Sequence, residues 1–118
     1  MKRDIRDFAN DILLHIETAE KALERAEKPL KYPSEEVMLM AYCLQIIGEA
    51  VKNIPDETRK IYSSIDWRKI AGMRDVLIHS YWGIDLEIVQ LTVVNRLPEL
   101  KTVVKQILED YNLEEYNG

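Results

Sequence analysis

At 118 residues, with 47% hydrophobic and 31% charged side chains, the chain has the size and balance of one folded domain, which excludes a disordered or fibrous class. A single cysteine, Cys43, excludes an internal disulfide and a cysteine-rich zinc site. The net charge of −5 argues against indiscriminate nucleic-acid coating, and no apolar run approaches the roughly 20 residues that span a bilayer.

The first helix is predicted from about Asp4 to Glu27, because Ile5, Ala9, Ile12, Ile16, Ala19, Leu23 and Ala26 recur at spacings of three and four. Pro29 and Pro33 close it. Ser34 then offers a hydroxyl cap to a second helix, about Glu35 to Asn53, with Glu35 and Glu36 placed where the helix dipole favours anions. Here Val37, Met40, Leu44, Ile47, Val51 and Ile54 form one apolar stripe, and Met38, Tyr42, Cys43, Ile46 and Ala50 form a second. A helix apolar on two faces is either central in a bundle or shared between the core and a partner. Gly48 within it costs about 1 kcal/mol against alanine and hints at close helix approach.

Pro55 marks the start of a short third helix through about Tyr62. Asp66 caps a fourth, Trp67 to about Ser80, ending near Gly83. Asp85 caps the next, which runs from Leu86 toward Tyr111, with Pro98 expected to kink it or divide it in two. Residues 1–111 thus read as one helical domain and 112–118 as a frayed tail. The fold class is all-α, an antiparallel bundle of four to five helices. Met1 is followed by Lys2, Arg3 and Asp4 and then by amphipathic sequence without an apolar signal core, so a cytoplasmic, membrane-free location is expected.

Charge is unevenly distributed. Arg59, Lys60, Arg68, Lys69 and Arg74 with one acid, Asp66, give the stretch 59–74 a net +4, leaving −9 on the rest. Such a patch suits one anionic ligand handled at one place, although solvated helix faces are the commoner origin of such clusters.

The stretch that helical patterning does not explain is Arg74-Asp75-Val76-Leu77-Ile78-His79-Ser80-Tyr81. Arginine supplies a permanent forked cation for phosphate, histidine exchanges a proton near neutral pH, and tyrosine offers a hydroxyl that can bind or be modified. Five residues along a helix correspond to a rise of about 7.5 Å and a turn of about 140°. Arg74 and His79 therefore meet at one phosphate only if Arg74 reaches along the axis and His79 stands at the helix end. An isolated pair at this spacing is more often structural.

Arg74-x4-His79-x-Tyr81 resembles the R-x4-H-x-Y motif of HepT-like toxins in the HEPN superfamily of helical ribonucleases. Ile46-Ile47-Gly48-Glu49-Ala50 resembles that family's IGEA segment. Ile65-Asp66-Trp67 with Gly72-Met73-Arg74 resembles its approach to the motif, and Ile84-Asp85 and Leu97-Pro98-Glu99-Leu100 resemble its downstream segments. The likeness runs in order from about Val37 to Leu108. One departure is Asp75, where the superfamily more often has asparagine.

The resemblance implies metal-independent RNA cleavage by attack of a ribose 2′-hydroxyl on the adjacent phosphate, with no cofactor, catalysed by Arg74 and His79 in a homodimer. It also implies a partner, a minimal nucleotidyltransferase antitoxin that adenylylates the motif tyrosine, here Tyr81. Arg68 and Lys69 are then candidates for positioning RNA phosphates. Asp75 and Glu49 are possible supporting polar groups, Glu49 either facing the motif or pointing to solvent. Trp67 and Trp82 could stack bases, packing at helix ends being the commoner use. His15 reads as structural, Cys43 as core, and clustered metal ligands are lacking in the sequence. Two other readings remain: a catalytically weak interaction module that is the substrate of the partner enzyme, and a nucleotide-binding regulator using Arg74 without turnover.

Overall fold

The computed structural model describes residues 4–78 and 84–117, and of 74–78 and 115–117 the backbone alone. Asp4 opens the first helix: its carboxylate accepts from the Arg6 backbone N–H at 2.8 Å, while Asp7 accepts from the Asp4 N–H at 2.9 Å. This reciprocal cap satisfies donors that a helix start leaves orphaned. Helix α1 then spans Ile5–Arg25 and buries Ala9, Ile12, Ile16, Ala19 and Ala22. Lys28 closes it by donating to the carbonyls of Leu23 and Ala26.

Helix α2, Glu35–Lys52, starts at Ser34, whose hydroxyl accepts from the Val37 N–H at 3.3 Å. All six residues of its first apolar stripe are buried, each contributing about 1.5–3 kcal/mol as side chains of this size leave water. The second stripe divides. Cys43 and Ala50 are buried, Ile46 is partly so, and Met38 and Tyr42 are exposed. Most of α2 is therefore core, which is why α1, α4 and α5 all pack against it.

The short helix α3, Asp56–Ile61, follows Pro55. From it Arg59 reaches back to α2, donating from Nε to the Ile54 carbonyl at 3.0 Å and from Nη2 to the Val51 carbonyl at 2.7 Å. Helix α4 spans Trp67–Ile78, with Asp66 accepting from the Lys69 N–H at 3.1 Å as its cap. Helix α5, Leu86–Leu91, is capped by Asp85, which accepts from the Ile88 N–H at 3.1 Å.

The expected break at Pro98 takes the form of a π-turn, Thr92–Arg96, between α5 and helix α6, Leu97–Asn117. Proline has no N–H to bond the carbonyl four residues back. The turn before it widens, and the Leu97 N–H bonds the Thr92 carbonyl five residues back. Helix α6 runs past the Tyr111 boundary read from the sequence.

Helices α1 and α2 form an antiparallel pair, with α4 packed on α2 and α6 on α1. Leu97, Leu100, Val104 and Ile107 of α6 join the buried stripes of α1 and α2 in one core. Lys101 and Glu20, 2.9 Å apart, tie α6 to α1 at the surface. Tyr62 donates to Asp110 and Thr58 pairs with Tyr111 at 3.2 Å, fastening α3 to the far end of α6. The described residues form an all-helical fold with no strand, and none of their helices is long and apolar enough to cross a membrane.

Candidate functional site on helix α4

Helix α4 is held at its start by Trp67, whose ring is buried and whose Nε1–H donates to the Tyr62 carbonyl at 2.9 Å. Trp67 is thus a packing residue, as the commoner use of such residues suggested. Ile70 and Met73, 5% and 7% exposed, anchor one side of α4 in the core. The helix therefore presents a fixed platform up to the motif. Arg74 and Asp75 occupy its next two positions, with the helical backbone continuing to Ile78. The side chains of Arg74 and Asp75 lie outside the described residues, as do His79, Tyr81, Trp82 and Gly83 altogether.

The basic stretch resolves into residues with different work. Arg59 is consumed by the end of α2, where it neutralises the negative pole of the helix and satisfies two carbonyls. Arg68 and Lys69 are exposed on the first turns of α4, free of the core and upstream of Arg74. Glu49, on the last full turn of α2, is about half-exposed and pairs with Lys52 at 3.4 Å, an exposed contact of modest strength.

His15 donates from Nδ1 to the Asp11 carbonyl at 2.7 Å and lies with its ring 6.2 Å from that of Tyr42, a structural placement. Cys43 is buried, and that burial pushes its thiol up to about 11. Among the described residues no three His, Cys, Asp or Glu side chains gather as a metal site.

Beside the platform runs a groove of about 170 Å³ between α4 and the π-turn, lined by Lys69, Ile70, Met73, Ile88, Leu91, Thr92 and Arg96. Arg96 is half-buried there. Sequence reading did not single it out. The signal was Pro98 two residues later, which disturbs the helix where Arg96 sits, but the form of that disturbance is a three-dimensional outcome.

The model of the HepT-like family, described as "Ribonuclease HepT-like", matches residues 12–107. A relative in Methanocaldococcus jannaschii, named as a candidate RNase, is 37% identical over 99% of this chain and 98% of its own. A protein of Thermococcus cleftensis named as a probable ribonuclease HepT is 37% identical over 86% of this chain and 93% of its own length. A candidate RNase of Caldanaerobacter subterraneus subsp. tengcongensis reaches 52% identity, over 56% of this chain and 59% of its own. No solved structure gives a significant match. With the family model spanning α1 through most of α6 and full-length relatives above 30% identity, the chain belongs to the HepT-like ribonuclease family.

Proposed function

We propose that this protein is a metal-independent RNA endonuclease whose catalytic groups are Arg74 and His79. The observation that carries the reading is the R-x4-H-x-Y sequence on and after α4, inside a family match that extends over residues 12–107. The ribose 2′-oxygen attacks the adjacent phosphorus, losing its proton to a base. The 5′-oxygen leaves and takes a proton from an acid, so the products are a 2′,3′-cyclic phosphate and a 5′-hydroxyl. His79 is the group suited to proton transfer near neutral pH, and Arg74 is the cation for charge gathering on the phosphorane oxygens. A two-fold dimer would bring two such motifs together and provide base and acid from two histidines. Lys69 and Arg68, exposed ahead of the motif, would hold phosphates of the bound strand.

Tyr81 is the proposed control point. Adenylylation there by a minimal nucleotidyltransferase would place a bulky, negatively charged phosphate beside Arg74 and compete with RNA for its fork. This would make the pair a toxin and its antitoxin. Asp75, an acid next to Arg74, favours one second reading: a weakly catalytic partner protein whose main role is to be modified.

The test is incubation of purified protein with total RNA in EDTA, followed by analysis of the cleaved ends. Arg74→Ala and His79→Ala should each lower cleavage by about 10²–10⁴-fold with helicity unchanged. Cleavage within a few-fold of wild type in His79→Ala would refute the assignment, and loss in EDTA restored by a divalent ion would refute metal independence. Intact RNA with wild-type protein, together with mass added at Tyr81 by the nucleotidyltransferase and ATP, would establish the second reading instead.

A further inference from the structure

Arg96 is a cation in an unusual position. It closes the π-turn, is half-buried, and lines the groove whose opposite wall is Lys69, Ile70 and Met73 of α4. Among the described residues no carboxylate stands within ion-pair distance of Arg96 or of Lys69. A half-buried arginine with no carboxylate partner among the described residues is an open anion receptor. The groove floor is apolar, from Ile70, Met73, Ile88 and Leu91. Its volume of about 170 Å³ suits one phosphodiester and the sugar beside it.

The groove's surroundings sharpen the choice of ligand. Two adjoining hollows share Leu91: one carries Glu87, and the other carries Glu99 together with Arg96 itself. Of the three, only the groove between Lys69 and Arg96 has two cations and no acid in its lining. Met73, in the groove wall, immediately precedes Arg74 in α4, so a strand seated here passes beside the motif.

We propose that Lys69 and Arg96 form a phosphate subsite that holds the RNA strand one or more nucleotides away from the scissile bond, an inference that rests on the ribonuclease reading above. Arg96 is a positioning residue: it grips backbone charge and leaves proton transfer to the motif. Arg96 is the last residue of the π-turn and lines the groove together with α4.

The test uses the full chain and a short fluorescein-labelled single-stranded RNA. Affinity is measured by anisotropy over a salt series in the His79→Ala background, so that the probe stays intact. Arg96→Ala should weaken binding about tenfold and reduce the slope of log affinity against log salt by about 0.7, the value for one single-strand phosphate contact. Arg96→Lys should keep most of the slope, and Lys105→Ala, exposed on α6, should leave affinity and slope unchanged. In cleaving protein, Arg96→Ala should raise KM more than it lowers kcat. Unchanged affinity and slope in Arg96→Ala, with wild-type cleavage present, would overturn the subsite and leave the ribonuclease reading standing. Arg96-dependent binding by a wild-type protein that cuts nothing would do the reverse. Light scattering that finds Arg96→Ala dissociated from a wild-type dimer would assign the groove to contact between two copies of this chain and overturn the proposal.

Discussion

Gly72 sits in the interior of α4 with nothing within 4 Å of the point where a Cβ would stand. A glycine inside a helix costs about 0.8–1.0 kcal/mol relative to alanine, mainly through unfolded-chain entropy. No steric loss offsets that gain here, so Gly72→Ala should stabilise the fold by about 1 kcal/mol. With an unfolding entropy of about 2.1 cal/mol/K per residue, a chain of this length unfolds with about 0.25 kcal/mol/K, so the melting temperature should rise by about 4 °C. Thermal unfolding followed by circular dichroism at 222 nm measures this directly. A melting temperature at or below that of wild type would refute the reasoning, since it would mean that the space beside Gly72 is filled in solution. Cleavage assayed on the same protein separates two uses of the position. A more stable protein that cuts RNA poorly would show that something outside the chain comes close to α4 at this point.

Arg59→Ala leaves the Val51 and Ile54 carbonyls without their charged donor and should cost about 1–2 kcal/mol, read as a lower urea midpoint with the slope unchanged. Burial, and then Asp110, push the Tyr62 hydroxyl up to about 12. Its folded value thus exceeds its unfolded one of about 10, and the associated stability is complete below pH 10 and lost as pH rises through about 12. The stability gap between wild type and Tyr62→Phe should accordingly narrow across that range in urea titrations, and a gap independent of pH would contradict it. Cys43, buried and with its thiol pushed up to about 11, should resist labelling by a thiol reagent at pH 8 until urea unfolds the protein; rapid native labelling would show the site to be open.

The parts of the fold that were legible in the sequence are those set by local rules. The stripe from Val37 to Ile54 is buried residue for residue, because 3.6-residue periodicity records a helix's apolar face directly. Ser34, Asp66 and Asp85 cap the helices they precede for the same reason: a cap is an arrangement within three residues. What stayed illegible depends on neighbours distant in sequence or on hydrogen-bond geometry. Arg59 looked like part of a ligand patch, and nothing in its sequence neighbourhood reveals that it folds back onto α2. Met38 and Tyr42 share a helical stripe with Cys43 and Ala50 but not their burial, since the packing of α1 and α4 decides which part of the stripe is covered. At the candidate site, Arg74, His79 and Tyr81 were recognised as a spacing of residue types, whereas Arg96 becomes visible only once the π-turn brings it to the groove beside α4.

The two attachments of α3 differ in how much chain they enclose. Arg59 bonds carbonyls five and eight residues away, whereas Tyr62 and Thr58 reach partners 48 and 53 residues away. Loop-closure entropy rises as (3/2)RT ln n, so a contact across about 50 residues costs about 1.6 kcal/mol more to close than one across eight. The attachment to α2 can therefore form while α6 is still undocked, and the attachment to α6 must wait for the core to assemble. In kinetic terms α3 is a latch with an early hinge and a late catch. Mutations that loosen α6 should first release Tyr62 and Thr58, opening the catch while Arg59 still caps α2. Trp67, bonded to the Tyr62 carbonyl, sits where its fluorescence would register that opening.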